Sequence, residues 1–178
     1  LKALNEIKKK YNTIDALINN ADFNPVINSK NNKQWQKLNK TKLQDFQLNL
    51  DISLSGAFLM VKHFGELINK NKNGGSIINI SSDLGVIAPD HRIYNHGKKI
   101  EKFKPISYSV SKHGLIGLTK YISTYPEYKN VRSNAICSSG IFNETKNVDP
   151  KFIQKLKKTI PLNRLAKSDD LCSALLWL

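Results

Sequence analysis

The sequence predicts a doubly wound α/β fold, an open parallel sheet with helices on both faces, and two observations carry that expectation. Short runs rich in β-branched and apolar residues recur along the chain, and each is followed by a stretch of helical hydrophobic periodicity. No internal repeat or low-complexity linker interrupts the alternation, and 178 residues with 40% hydrophobic content suffice for one domain with a core.

The first strand is expected at Ile14-Asp15-Ala16-Leu17-Ile18, leading into Asn19-Asn20-Ala21. A long amphipathic helix follows over residues 42–70, where Leu43, Phe46, Leu50, Leu54, Phe58, Val61 and Ile68 recur mostly three or four apart. It is expected to kink near Gly56 and to stop before Gly74-Gly75. The second strand is Ser76-Ile77-Ile78-Asn79-Ile80, and the next helix covers residues 107–125 with Leu115, Leu118 and Ile122 on one stripe. Between them, residues 88–105 are rich in charge, His and Gly and read as an inserted loop. The third strand is Val131-Arg132-Ser133-Asn134-Ala135-Ile136-Cys137. Two further helices are expected at residues 150–159 and 168–178, the second opened by Ser168 with Asp169 and Asp170 at its positive end.

Composition excludes several functions. The net charge of +14 comes from lysines scattered in short clusters, without the interleaved aromatics that stack on single-stranded bases, so a solvated basic surface is expected and no nucleic-acid partner. No apolar run approaches the roughly 20 residues of a membrane span. Cys137 and Cys172 are too few for a disulfide framework and too far apart for a metal pair, so free thiols in a cytoplasmic protein are expected, with Cys137 in the core. Asp90, His91 and His96 in the inserted loop fit no metal-ligand spacing, and no metal is expected. His63 and His113 read as packing or surface residues.

Chemistry concentrates at Tyr108-Ser109-Val110-Ser111-Lys112, where a phenol and an ammonium four residues apart share one helix face. A phenol, with an ordinary pKa of about 10, donates a proton to a carbonyl oxygen only when its phenolate is stabilised, and Lys112 is the expected source of that charge. Ser82, in Ser81-Ser82-Asp83-Leu84-Gly85, falls where the second strand ends, and open α/β sheets bind ligands at the carboxyl ends of their strands. Gly114 and Gly117 lie inside the same helix as Tyr108 and Lys112, where close packing against another backbone is the expected reason for them.

In register over nearly the whole chain, these motifs resemble the short-chain dehydrogenase/reductase family of the compact type. Ile14 to Ala21 resembles the fourth strand and its N-N-A-G motif, Gly75 to Gly85 the fifth strand with its serine, Tyr108 to Lys112 the catalytic helix, Val131 to Gly140 the sixth strand, and Pro161 to Asp170 the approach to the final helix. The resemblance implies a Rossmann-like sheet and hydride transfer between NAD or NADP and a small-molecule carbonyl or secondary alcohol. It makes Tyr108 the general acid or base, Lys112 its tuner and the holder of the nicotinamide ribose, and Ser82 the residue that steadies the carbonyl. Asn20, Ala21, Ile80 and Ile141 would line the cofactor with Tyr108 and Lys112. A homodimer or homotetramer is implied, paired through the helices at 42–70 and 107–125.

Departures from the family pattern are specific. The Gly-rich T-G-x-x-x-G-x-G turn and the first three strands would precede the first residue, and the last strand would follow Leu178, leaving the sheet incomplete with two unpaired edges. Residues 1–178 are thus expected to be a partial domain. The residue that selects NAD or NADP falls in the missing region, so the choice is open. The family's catalytic asparagine falls at Ser53, with Asn49 one turn away as a weak substitute. Asp22 takes the place of the N-N-A-G glycine, and Ser138-Ser139 the place of a P-G pair. Ser82 and Tyr108 lie unusually far apart in sequence because of residues 88–105, where His91, Arg92, Lys98, Lys99 and Lys102 suit an anionic substrate. The post-strand segment and this insertion together resemble enzymes of bacterial surface-sugar biosynthesis, with a 3-oxoacyl thioester as another possible substrate. The alternative is a non-catalytic nucleotide-binding or scaffold relative of the same fold.

Overall fold

The computed structural model describes residues 2–24, 37–97, 99–141 and 148–178. Its sheet is parallel, with strands β1 (Ala16–Asn19), β2 (Gly75–Ile80) and β3 (Val131–Ile136) in that order. The α-helices among the described residues are α1 (Lys2–Lys10), α2 (Leu43–Leu50), α3 (Gly56–Asn69), α4 (Ile106–Ser123), α5 (Pro150–Thr159) and α6 (Ser168–Trp177). Each strand places its carboxyl end on the same side, as parallel pairing demands.

β2 is central and its interior is buried, so it reads as a continuous apolar run. Ile77 packs there with Leu17 of β1, Val61, Phe64, Leu67 and Ile68 of α3, Ile122 of α4 and Val131 of β3, and Ile7 of α1 reaches the same cluster; Ile78 is buried as well. Gly74, at φ 77, turns the chain into β2, with Asn130 O 2.9 Å from where a side chain would begin.

One polar chain crosses this core. Asn19 Nδ2 donates to Asn79 Oδ1 at 2.8 Å, and Asn79 Nδ2 donates to Thr119 Oγ1 of α4 at 2.8 Å. Asn79 is fully buried, so its removal strands two partners in the core. Asn79→Ala is expected to cost about 2–3 kcal/mol in urea unfolding. A loss below about 0.5 kcal/mol contradicts this account of the amide chain.

Several expectations need correction. The long helix at 42–70 is interrupted by a π-helical turn at Asp51–Ser55, just ahead of Gly56, which itself sits in regular helix. The extra residue rotates the face, so Val61 and Ile68 are buried as expected whereas Leu43 is 77% and Phe58 51% exposed. A side chain at Gly114 would meet that of Leu54, and one at Gly117 would begin more than 4 Å from any other element, so among the described residues of this chain neither packs against another backbone. Cys137 is exposed and free. The N-terminal cap of α6 comes from Asp170, whose carboxylate accepts the Lys167 N–H at 2.8 Å and also pairs with Arg164, while Ser168 is already inside the helix. Helix α1 was not foreseen, because its apolar positions are sparse among Lys8, Lys9 and Lys10.

Candidate active site

β2 ends at Ile80, and the chain turns at once through Ser81 and Ser82 into a short 3₁₀ turn, Asp83–Gly85. Ser82 Oγ accepts the Leu84 N–H at 3.2 Å and donates to Asp83 Oδ1 at 2.8 Å. Ser81 Oγ donates to the Lys112 carbonyl at 2.8 Å, and the Asp83 N–H bonds the Ser138 carbonyl at 3.1 Å, just past β3. A side chain at Gly85 would begin 2.8 Å from that Lys112 carbonyl, so only glycine lets the turn press on α4. The turn is therefore pinned to both α4 and the third strand.

Tyr108 and Lys112 lie in the first turns of α4, and both are buried. Lys112 Nζ donates to the Ile80 carbonyl at 2.9 Å and stands 5.5 Å from the centre of the Tyr108 ring. Ser82, Tyr108 and Lys112, the three residues expected to act together, are thus gathered at the carboxyl end of β2. Asn20 and Ala21 follow β1 and are exposed, Ile80 closes β2 and is half-buried, and Ile141, 42% exposed, follows β3 and bridges to Ala166. All four cofactor candidates therefore lie at or just beyond the carboxyl ends of the strands, and the Ile80 carbonyl is bonded by Lys112.

Asp22 changes the expected electrostatics. Its Oδ2 is 3.4 Å from Lys112 Nζ and its Oδ1 accepts the Ser53 hydroxyl at 2.6 Å. Ser53 is buried in the π-helical turn, so the position expected to hold the family's asparagine is wired to a carboxylate. Asn49, also buried, donates to the Phe23 carbonyl at 2.6 Å, and its Oδ1 has no hydrogen-bond partner among the described residues.

The phenol was expected to be acidified by Lys112. Instead burial pushes Tyr108 up to about 12, and Asp22 and Asp83 push the same way, against the hydrogen bond with Ser82. Burial likewise holds Lys112 below its ordinary range, with Asp22 opposing. The physical reason for the difference is that Lys112 is engaged by Asp22 and Ile80 rather than by the phenol.

The residues from 88 to 105 form a compact excursion among the described positions, not a slack loop. Asn95 is buried and staples it: Nδ2 donates to the carbonyls of His91 and Lys102, each at 2.8 Å, and Oδ1 accepts the N–H groups of Glu101 and Lys102 at 2.9 and 2.8 Å. The 3₁₀ turn His91–Tyr94 then docks on α5. Tyr94 stacks on Phe152 at 5.3 Å, His96 pairs with Asp149 at 2.5 Å, and Lys155 donates to the Asn95 carbonyl. Arg92, expected to read an anionic substrate, is 82% exposed and forks onto Asp90. Lys98 lies outside the described residues. The basic residue that reaches the site is Lys104, missed in the sequence: it is buried, 3.6 Å over the Tyr108 ring, and donates to Asn24 Oδ1 at 2.9 Å. Its place directly before α4 was the available signal. No helix among the described residues is long and apolar enough to cross a membrane.

A family model described as enoyl-(acyl carrier protein) reductase matches residues 2–178. The chain is 30% identical over 182 residues to an uncharacterized oxidoreductase of Thermotoga maritima, covering 96% of this chain and 63% of that one. It is 28% identical to the post-translational flagellin modification protein A of Campylobacter coli, covering 99% of this chain and 64% of the relative. A crystal structure of a short chain dehydrogenase from Leptospira borgpetersenii with bound NAD+ superposes with a TM-score of 0.81 at 26% identity, over 99% of this chain and 62% of that one. The chain therefore spans somewhat under two thirds of each of these three relatives.

Proposed function

The chain belongs to the short-chain dehydrogenase/reductase family, and from that premise we propose that it carries the proton-transfer half of an oxidoreductase acting between NAD(H) or NADP(H) and a carbonyl or secondary alcohol. One observation carries the reading: Ser82, Tyr108 and Lys112 meet in a buried cluster at the end of a parallel strand, fixed there by the Ser81 and Gly85 contacts to α4. In the reducing direction Tyr108 gives its proton to the substrate oxygen, Ser82 holds that oxygen by hydrogen bond, and Lys112 carries charge beneath them. Asn20, Ala21, Ile80 and Ile141 would flank the nicotinamide, and Lys112 the ribose; the bound nicotinamide supplies the hydride. A panel of carbonyl substrates with each reduced cofactor, read by nicotinamide absorbance, tests the reading and separates NADH from NADPH. Absence of turnover with every pair, in a protein shown to bind cofactor, would favour a non-catalytic scaffold.

The substrate proposed is a component of bacterial surface modification, supported by the similarity to a flagellin modification protein, with a 3-oxoacyl thioester as the competing substrate in the same panel. We place the reaction in the cytoplasm, where the free thiols of Cys137 and Cys172 persist. Pyrophosphate recognition in this family relies on backbone donors of a glycine-rich turn, and no T-G-x-x-x-G-x-G run occurs in these 178 residues. The chain by itself is therefore expected to bind either cofactor with Kd above about 100 μM by calorimetry, a loss of several kcal/mol against tight binders. Low-micromolar affinity contradicts this.

Assembly is proposed through α2, α3 and α4. Leu43, Leu48, Phe58 and Met60 on the first two, and Val110 and Tyr121 on the last, are each at least 40% exposed. Gly117 leaves open space on α4 for a neighbour's close approach. A second copy covering these helices would remove that apolar surface from water. Light scattering is expected to report a dimer or tetramer at micromolar concentration, and Phe58→Lys to shift it toward monomer. A monomeric unsubstituted protein rejects the assembly.

A further inference from the structure

Two charged residues at this centre have no counterpart in the expected pattern. Asp22 stands where a glycine was expected, and Lys104 belongs to the stretch that lengthens the path from Ser82 to Tyr108. They come from opposite sides. Asp22 approaches from the segment after β1 and takes both the Ser53 hydroxyl, at 2.6 Å, and the Lys112 ammonium, at 3.4 Å. Lys104 descends from the excursion docked on α5, is anchored by its own N–H to His91 Nδ1 at 3.2 Å, and lays its ammonium 3.6 Å over the phenol ring. Only 8% of Lys104 is exposed, so water does little to screen it.

We propose that Asp22 and Lys104 are paired positioning residues for Tyr108: the carboxylate takes up the charge of Lys112, and the Lys104 ammonium on the phenol ring supplies positive charge in its place. The proposal rests on Tyr108 being the proton donor. With Asp22 and Asp83 negative and Lys104 and Lys112 positive, the described surroundings of the phenol are balanced, and ionising Tyr108 leaves a single negative charge among them. Without Lys104 the surroundings would already be negative, and a phenolate would add to like charge. A cation over the ring face is also attracted to the ring itself, more so as negative charge develops on it.

Such a device depends on pH. Among the described residues, the titratable groups shown to face Lys104 include Asp22, Asp83, Lys112, Tyr108 and His91 of the turn above it. Burial brings Lys104 down to about 7, while Asp22 and Asp83 act to raise it. Its folded value lies below the ordinary one, so the charge is present at acid pH and is lost as pH rises through about 7. Support for the phenolate is therefore available below that point and withdrawn above it.

Tyrosinate absorbance of the 178-residue chain, followed through alkaline pH, reads the coupling directly, with Tyr108→Phe in each background subtracting the other tyrosines. Lys104→Arg stays charged at every pH used, and is expected to place the Tyr108 midpoint about one pH unit or more below that of Lys104→Met. Equal midpoints in the two folded variants overturn the proposal. A second reading leaves Lys104 intact and covers failure of the arginine to fit. With carbon-13 at the lysine ε position, and the Lys104 signal assigned by its contact with the Tyr108 ring, Asp22→Asn is expected to lower the Lys104 midpoint by about one pH unit. An unchanged midpoint overturns the proposal as well. Neither readout involves turnover. Lost coupling in an active protein thus refutes this inference alone, and intact coupling in an inactive one upholds it while counting against the proposed function alone.

Discussion

Tyr108→Phe is expected to lower kcat by about 10²–10⁴-fold while leaving cofactor affinity within about twofold. The substitution deletes one oxygen from a ring that is otherwise held by packing in the first turn of α4, so the hydrogen bond with Ser82 goes while the ring keeps Lys104 and Lys112 beside it. What is lost is the proton for the substrate oxygen. The cost falls on kcat because the hydroxyl acts in the transition state and is not needed to hold the nicotinamide. Stopped-flow or steady-state turnover checks it, in a protein that supplies the glycine-rich turn ahead of residue 2. A variant with kcat within about threefold of the parent would mean that another group donates the proton.

Replacing residues 88–105 with a short Gly-Ser linker is expected to lower kcat/KM by about 10²-fold or more. Two separable losses combine. Lys104 leaves the phenol ring, and α5 loses the Tyr94–Phe152 stack, the His96–Asp149 pair and the Lys155 bond that hold it near the strand ends. The first loss falls on kcat and the second on KM. Arg92→Ala, by contrast, is expected to change kcat/KM by less than about twofold, since its guanidinium is exposed and spent on Asp90. An unchanged kcat/KM in the linker variant, across anionic and neutral substrates, would reduce the excursion to a surface feature.

Much of this was legible in the chain. The three strands could be placed within a residue or two because each is a short apolar run bounded by turn residues, and Tyr108 and Lys112 declare their shared face by spacing alone. Ser82 was legible because it directly follows a strand. What could not be read depends on tertiary closure. Asp22 and Ser53 lie 31 residues apart, and nothing local indicates that the carboxylate lands on the hydroxyl. Lys104 is one lysine among many in a basic chain, distinguished only by the packing that buries it. Phe58 sat on the predicted stripe, yet the π-helical turn shifted the register and left it outside. Periodicity assumes regular helix, and one inserted residue defeats it.

Deuterium tracing tests the central claim most directly. Nicotinamide cofactor labelled with deuterium at its reactive carbon is supplied with a reducible carbonyl compound, and the alcohol product is analysed by mass spectrometry. In a protein that supplies the glycine-rich turn ahead of residue 2, the account requires deuterium on the carbinol carbon with Tyr108 in place and its near absence with Tyr108→Phe. Cofactor binding without transfer to any carbonyl, or equal transfer by the Tyr108→Phe variant, would contradict it.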